Sequence, residues 1–350
     1  MCLTRRQFLA VAAGFACGIA SNKGLASGMK TPGNVAVTVT GNVAPKSMGI
    51  VLPHEHLLVD FIGADKASRD RYDQDEVFTK ALPYLVKAKE MGLGTLVDCT
   101  PEYLGRDAAL LKRLSKASGV KILAPTGLYG AAGDKFLPPY AFTETPEKLA
   151  ERWIAEWKTG IGGTGIKPGF IKIGVDPEPS EVDLKLARAA ALTHRATGLT
   201  IASHTSTGKA ALAQIDILKS CKVDPSAFVW VHANSEPDAT WHEKAARQGA
   251  WVEFDSLSPD SVDAHVKLVR NMESLGLLGK TLVSHDAGWY NVGEPGGGTF
   301  RAFDTLFTEF IPALQKAGFD ETQISRLIRS NPQNAFTRRA KRNPSKSGTG

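Results

Sequence analysis

From residue 35 onward, short apolar runs alternate with longer stretches in which apolar positions recur every three or four residues. The first kind fits buried strands and the second amphipathic helices. Val35–Thr40 and Met48–Leu52, flanking Gly41-Asn42 and Pro45, predict an entry hairpin. Strands are expected to end at His56 and to occupy 94–100, 121–126, 170–174, 200–204, 228–232, 250–255 and 280–286. Helices are expected over 76–91, 107–118, 146–158, 181–197, 209–220, 238–248, 261–275 and within 301–330. This alternation argues for an α/β fold, a parallel sheet closing as a (β/α)8 TIM barrel behind the short hairpin. A doubly wound open sheet would place a glycine-rich turn directly after its first strand. Here that strand ends in His54-Glu55-His56, and the glycine-rich stretches 160–169 and 293–298 read as loops.

In such barrels the chemistry lies at the carboxyl ends of the strands. Residues two apart on a strand face one side, so His54 and His56 can reach one ion while Glu55 points away. The fourth strand carries Lys172, the fifth ends at His204, the sixth at His232 and the eighth at Asp286. His194, His242 and His265 fall in predicted helices and are expected to be solvated or capping. His285 alternates with Asp286 and should face the helices. Imidazole and carboxylate suit zinc and its first-row neighbours. A lysine is a poor ligand in such a set, because a cation repels an ammonium.

The segments Leu52-Pro-His-Glu-His-Leu57, Gly169-Phe-Ile-Lys-Ile-Gly174, Ala202-Ser-His-Thr205, Trp230-Val-His232 and Val283-Ser-His-Asp286 resemble, in order, the phosphotriesterase family of the amidohydrolase superfamily. The resemblance runs from about Val35 to Phe336. It implies a binuclear hydrolase with two divalent ions, zinc foremost, and a Lys172 carboxylated by carbon dioxide to bridge them. His54, His56 and Asp286 would hold the more buried metal, and His204 and His232 the more exposed one. A bridging hydroxide would be the nucleophile, and Asp286 would take its proton.

On the substrate side, the loop ending in Gly105-Arg106 resembles its family counterpart, and Thr126-Gly-Leu-Tyr129 resembles a segment whose tyrosine lies against the metals in lactone-cleaving members. Arg106, Tyr129, Trp289 and Tyr290 are the candidate substrate contacts, with 287–299 as lid and specificity element. Two positions depart from the family. Ser235 stands where members often carry an acid three residues after the sixth-strand histidine, with Glu236 and Asp238 nearby. Ser256 follows Asp255 where the paraoxon-cleaving branch has histidine and lactonases arginine. Deaminase signatures with paired cysteines are absent.

The net charge of +6 does not call for nucleic acid. Residues 1–26 and 337–350 carry cations and no acids, which leaves a slight negative balance between them. Residues 1–26, with Arg5-Arg6 ahead of Phe8-Leu9 and a short apolar run, look like a twin-arginine export signal. Residues 27–336 form the hydrolase barrel, and 337–350 a basic tail expected to lack structure. Of four cysteines, Cys99 and Cys221 lie outside the signal and are expected as buried free thiols. The leading expectation is a periplasmic ester hydrolase for a lactone or phosphoester. Amide or amidine hydrolysis, and an inactive metal-containing exported binding protein, are the competing readings. Expected partners are a small-molecule ester, the export machinery and, as an option, a second copy in a homodimer.

Overall fold

The computed structural model describes residues 34–338. The expected signal at 1–26 and the tail cations Arg339, Lys341, Arg342 and Lys346 lie outside the described residues. Strands β1 (Ala36–Thr38) and β2 (Gly41–Val43) form the antiparallel hairpin, with Val37 opposite Asn42. Its second arm is therefore Gly41–Val43 and not Met48–Leu52. A 3-10 turn at Pro45–Met48 separates the hairpin from the first barrel strand.

That strand, β3 (Ile50–Val59), is followed by β4 (Leu93–Asp98), β5 (Lys121–Leu123) with its continuation β6 (Pro125–Thr126), and β7 (Phe170–Gly174). Then come β8 (Ile201–His204), β9 (Phe228–Val231), β10 (Trp251–Phe254) and β11 (Thr281–Val283). Neighbours pair in parallel in chain order from β3 to β5 and from β6 to β11. The seam is closed by Asp286 N–H donating to His54 O at 3.1 Å and His54 N–H to Ser284 Oγ at 3.0 Å. The expected (β/α)8 barrel is the observed fold.

The segment expected as a lid begins instead as a strand. β12 (Gly288–Asn291) pairs in parallel with β3, placing Gly288 opposite His56 and Tyr290 opposite Leu58. Gly288 has φ 94°, and a Cβ there would stand 1.9 Å from His56 O. Only glycine permits so close a pairing. This second partner explains why β3 runs for ten residues.

Alternation along the strands decides what enters the lumen. Phe170, Ala202, Val229 and Leu282 fill the lower lumen, together with Val51 and Phe336. Ile171, Ile173, Trp230 and Val283 face the helices. Above the apolar floor, Lys172 and His204 continue the inward phase of Phe170 and Ala202. On β3 the pairing shifts between Leu52 and Glu55, an irregularity at Pro53, which has no N–H to give to the ladder. Leu52 and Glu55 thus both face outward, and His54 follows Val51 inward.

The chain ends of the described region meet. Val35 and Arg338 exchange two backbone hydrogen bonds at 3.2 and 2.8 Å. Arg338 Nε also donates to Thr197 O at 2.6 Å, and its guanidinium lies 5.1 Å from the Trp157 ring. Ordered chain therefore continues two residues past the boundary expected at 336. Cys99 and Cys221 are both buried and free.

Candidate metal centre

Four imidazoles meet where the middle of β3 faces the carboxyl ends of β8 and β9. Ring centroids are 5.2 Å apart for His54 and His56, 5.0 Å for His54 and His232, and 4.3 Å for His204 and His232. His54 Nε2 lies 3.2 Å from His56 Nε2, and Asp286 Oδ1 lies 3.2 Å from His56 Nε2 and 3.6 Å from His54 Nε2. His232 does not follow the inward phase of Val229 and Val231. It reaches the lumen because its backbone turns left-handed, at φ 64°. Asp286 at 52°, Ser256 at 60° and Trp289 at 70° share that rare conformation. Each such residue costs roughly 1–3 kcal/mol, and such strain gathers at functional sites.

The remaining ring nitrogens are held from behind. His54 Nδ1 lies 3.1 Å from Glu253 Oε1 and 3.2 Å from Asp255 Oδ2, and His232 Nδ1 lies 2.6 Å from Asp255 Oδ1. His56 Nδ1 meets Thr100 Oγ1 at 2.8 Å. For His54 and His232 these partners hold the Nδ1 proton and turn Nε2 toward the cavity, the usual support of metal-bound histidines. His54, His232 and Asp255 also cluster closely enough to hold a cation, but their near atoms are those already spent on one another. Asp255 positions two candidate ligands, His54 and His232, through its own oxygens.

The donor set fits a cation. Asp286 Oδ1 is buried without a hydrogen-bond partner. With His54 and His56 it forms a group whose ligand atoms lie within 4.8 Å of one another. Lys172 is 1% exposed in the same cavity, and among the described residues no hydrogen bond or ion pair holds its ammonium.

Charge follows the same geometry. Burial opposes a charged His54, as does Lys172, but Asp286, Asp255 and Glu253 outweigh them and lift it to about 10. Burial wins at His56, which falls to about 4 despite Asp286. Burial, reinforced by His232 and Lys172, drives His204 well below the usual imidazole range. Burial works against a charged Asp286, yet His54 and His56 pull it down to about 2.

Glu55 faces away from the histidine cluster, as expected, and is fully buried. It accepts hydrogen bonds from Ser284 Oγ (2.7 Å), His285 N–H (3.0 Å), His285 Nδ1 (2.8 Å) and Ala287 N–H (2.8 Å). It therefore clasps the turn on both sides of Asp286. His285 points to the helices, where its Nε2 accepts from Leu306 N–H at 3.0 Å. Two of the three helical histidines depart from expectation. His242 and His265 are buried and pin the carbonyls of Ala233 and Asp255, at 2.7 Å each, behind the site. His194 is half-buried and bonds Leu199 O past its helix end.

A cavity of about 250 Å³ opens over the cluster. Phe61, Tyr129, Leu104 and Trp289 line one part, and Ser206, Ser235 and Ser256 another. Tyr129 packs 5.1 Å from the His204 ring, and Trp289 packs against His56 and Phe61. Arg106 and Tyr290 do not reach this cavity, which corrects their expected role. The Arg106 guanidinium is spent on both oxygens of Glu156, at 2.8 and 2.6 Å, and on Pro125 O. Tyr290 alternates with Trp289 on β12 and packs over Gly297.

The comparisons agree with this geometry. The model of the phosphotriesterase family matches residues 35–336, and the chain belongs to that family. The phosphotriesterase homology protein of Escherichia coli is 29% identical over 293 residues, covering 82% of this chain and 98% of its own. An aryldialkylphosphatase of Saccharolobus solfataricus is 28% identical over 308 residues, 85% and 97% of the two chains. An N-acetyltaurine hydrolase of Rattus norvegicus is 26% identical over 345 residues, 86% and 97%. Among solved structures, a triple mutant of an organophosphorus hydrolase from Deinococcus radiodurans superposes with a TM-score of 0.78 at 26% identity, over 87% of this chain and 99% of that one.

Proposed function

We propose that this protein is an exported, binuclear metal-dependent hydrolase that cleaves an ester bond in a small uncharged substrate, a lactone or a phosphoester. One observation carries the reading: His54, His56, Lys172, His204, His232 and Asp286 all line a single cavity. His54, His56 and Asp286 would hold one ion, and His204 and His232 the other. The Lys172 ammonium would first give a proton to solvent, and the neutral amine would then add to carbon dioxide and release a second proton, so that the carbamate completes the donor set for both ions. This removes the unpaired buried ammonium, which is otherwise costly. A pair of divalent ions, zinc the best match to these donors, supplies Lewis acidity and makes water a nucleophile near neutral pH.

The chain's own groups supply the rest. Asp286 is held ionised and can take a proton from the attacking water. Burial keeps the Tyr129 hydroxyl protonated, so it serves as a donor. Phe61 and Trp289 offer an apolar wall, and three serines offer hydrogen bonds without charge. Among the described residues, no arginine lines the cavity. That favours an ester over an anionic amide such as N-acetyltaurine, the substrate named for one relative.

The test is turnover by the purified full chain on lactones, an aryl ester, a phosphotriester, a phosphodiester and N-acetyltaurine, alongside metal content. Uncharged esters should be cut, activity should vanish with a chelator, and zinc should restore it. Turnover of the anionic amide alone, or none at full metal loading, would overturn the reading. Export is tested separately. Changing Arg5 and Arg6 to lysine should retain the protein in the cytoplasm, and undiminished periplasmic protein would exclude the twin-arginine route.

A further inference from the structure

The turn that presents Asp286 is built from backbone conformations that side chains rarely adopt. Asp286 has φ 52°, Gly288 94° and Trp289 70°. Non-glycine residues persist there only where their surroundings over-determine them. Most of the restraint comes from β3. Glu55 accepts from the N–H groups of His285 and Ala287, Asp286 N–H donates to His54 O, and His56 N–H donates to Ala287 O. The Asp286 carbonyl is held differently. It accepts from the guanidinium of Arg301, through Nη2.

Arg301 stands at the far end of the loop that follows β12. Its N–H donates to Gly288 O at 2.8 Å and its C=O accepts from Gly288 N–H at 3.1 Å, which closes 289–300 into a loop with a paired base. From that base the guanidinium lies 4.7 Å from the centre of the Trp289 ring. The same ring packs 5.7 Å from His56 and 5.3 Å from Phe61. Asp286 and Trp289 line the cavity, whereas Arg301 is exposed and lies outside it. Among the described residues no carboxylate pairs with this arginine. Its planar fork is divided between a carbonyl and an aromatic face, two uses for which that shape is suited and an ammonium is not.

We infer that Arg301 is a positioning residue: by gripping the Asp286 carbonyl and the Trp289 ring together, it sets the direction of the Asp286 carboxylate and the place of the cavity's apolar wall from outside the cavity. Asp286 Oδ1 stands 3.2 Å from His56 Nε2 and 3.6 Å from His54 Nε2. A turn released from Arg301 relaxes toward ordinary backbone angles, and the carboxylate swings out of that register. Trp289, three residues along the same strained segment, moves with it. The part played by the carboxylate rests on the proposed function, while the grip on the turn does not.

The experiment uses the full-length protein labelled with fluorotryptophan, the Trp289 fluorine signal being identified by Trp289→Phe. In metal-free Arg301→Ala that signal should shift while the other tryptophan signals stay in place. Zinc affinity, read by competition with a chromophoric chelator, should weaken about tenfold or more, the loss expected when a ligand's support is removed. Guanidinium chloride at about 0.05 M, far below the roughly molar range that unfolds proteins, should restore part of both. Arg301→Gln keeps an N–H for the carbonyl but no charge for the ring, so the Trp289 signal should move while zinc binding stays closer to native. Lys87→Ala, which removes the exposed pair with Asp304, should change neither. An unmoved Trp289 signal and native zinc affinity in Arg301→Ala would overturn the inference. So would a shift of every tryptophan signal that guanidinium does not reverse, since the arginine would then hold the fold at large and not this turn. If the native chain binds no zinc, the proposed function fails, and the Trp289 signal alone still decides the role of Arg301.

Discussion

His54 and His204 are both imidazoles at the carboxyl ends of barrel strands, yet the chain supports them differently. His54 is 1% exposed, its Nδ1 faces two buried carboxylates, and its backbone N–H and C=O both bond across the seam. His204 has no hydrogen bond to either ring nitrogen among the described residues and touches its surroundings through His232 and Tyr129. One ligand is fixed before any cation arrives; the other has its direction set by packing alone. Preorganisation raises affinity, because less freedom is lost on binding. Two bound ions should therefore leave in sequence under a chelator, the His204–His232 ion first. Loss of both in a single phase would remove the distinction.

The largest expected effects come from Lys172, which would serve both halves, and from Asp286. Lys172→Ala should lose most bound metal and lower turnover on the order of 10³-fold or more. Added short carboxylic acids should restore part of it, by entering the space the carbamate would fill. Asp286→Asn should be comparably damaging and not rescued. Full metal and turnover in Lys172→Ala would show that the lysine bridges nothing.

Next in size are the supporting carboxylates. Asp255→Asn disturbs His54 and His232 together, and roughly 10–100-fold should be lost in metal affinity or activity. Thr100→Val reaches only His56 and should cost less. Equal losses from the two would mean that support at the two ends of the cluster is interchangeable.

A smaller effect, graded with pH, sharpens the same contrast. In the metal-free chain His54 is lifted to about 10 while His56 is lowered to about 4. The raised value at His54 stabilises the metal-free fold fully below about pH 6.5, and that contribution fades as pH climbs through about 10. The lowered value at His56 acts the other way, since its stabilisation is complete above 6.5 and is lost as pH falls toward 4. A cation on His54 Nε2 must displace one proton there, whereas His56 and His204 have none to give near neutrality. Ring-nitrogen NMR of the metal-free protein at pH 8 should show both His54 nitrogens protonated and His56 neutral. A neutral His54 would contradict the assignment.

These contrasts also show what was legible in the residues beforehand. The ligands could be read because each ends a recognisable apolar run, and strand ends in a barrel converge. What escaped notice was support from behind. Glu253 and Asp255 obey the same two-residue rule on β10 that picked out His54 and His56, but acids inside a strand without a histidine gave no separate cue. Burial of His242 and His265 escaped because a helical histidine reads as polar until its carbonyl partner is in place. Arg106 and Tyr290 were misjudged for the reverse reason. A loop arginine near a strand end looks available, and only the fold brings Glu156 to claim it. The segment of β12 was read as part of a lid because Trp289 and Tyr290 stand beside the run Gly296–Gly298, whereas at Gly288 the missing side chain admits the His56 carbonyl and makes a strand.

The smallest expected effect tests where the barrel stops and the tail begins. The polar, basic composition after Phe336 argues that nothing beyond it joins the core. Yet Arg338 exchanges two backbone hydrogen bonds with Val35, donates to Thr197 O and lies over Trp157. A partly exposed hydrogen bond contributes about 0.5–1.5 kcal/mol, and an exposed cation–π contact about 0.5–1. These gains are shared with water and are not additive, so truncation after Phe336 should cost about 1–2 kcal/mol. Truncation after Arg338 should stay within about 0.5 kcal/mol, as changes away from packed contacts do. Denaturant melts of the two truncations, side by side with the full chain, separate these outcomes. Metal content and turnover of a small soluble ester should be the same in all three, because the cluster lies at the other end of the strands. If both truncations melt like the full chain, Arg338 is no part of the barrel. If the shorter one also loses metal, the two ends of the barrel are coupled through the strands and cannot be treated as separate regions.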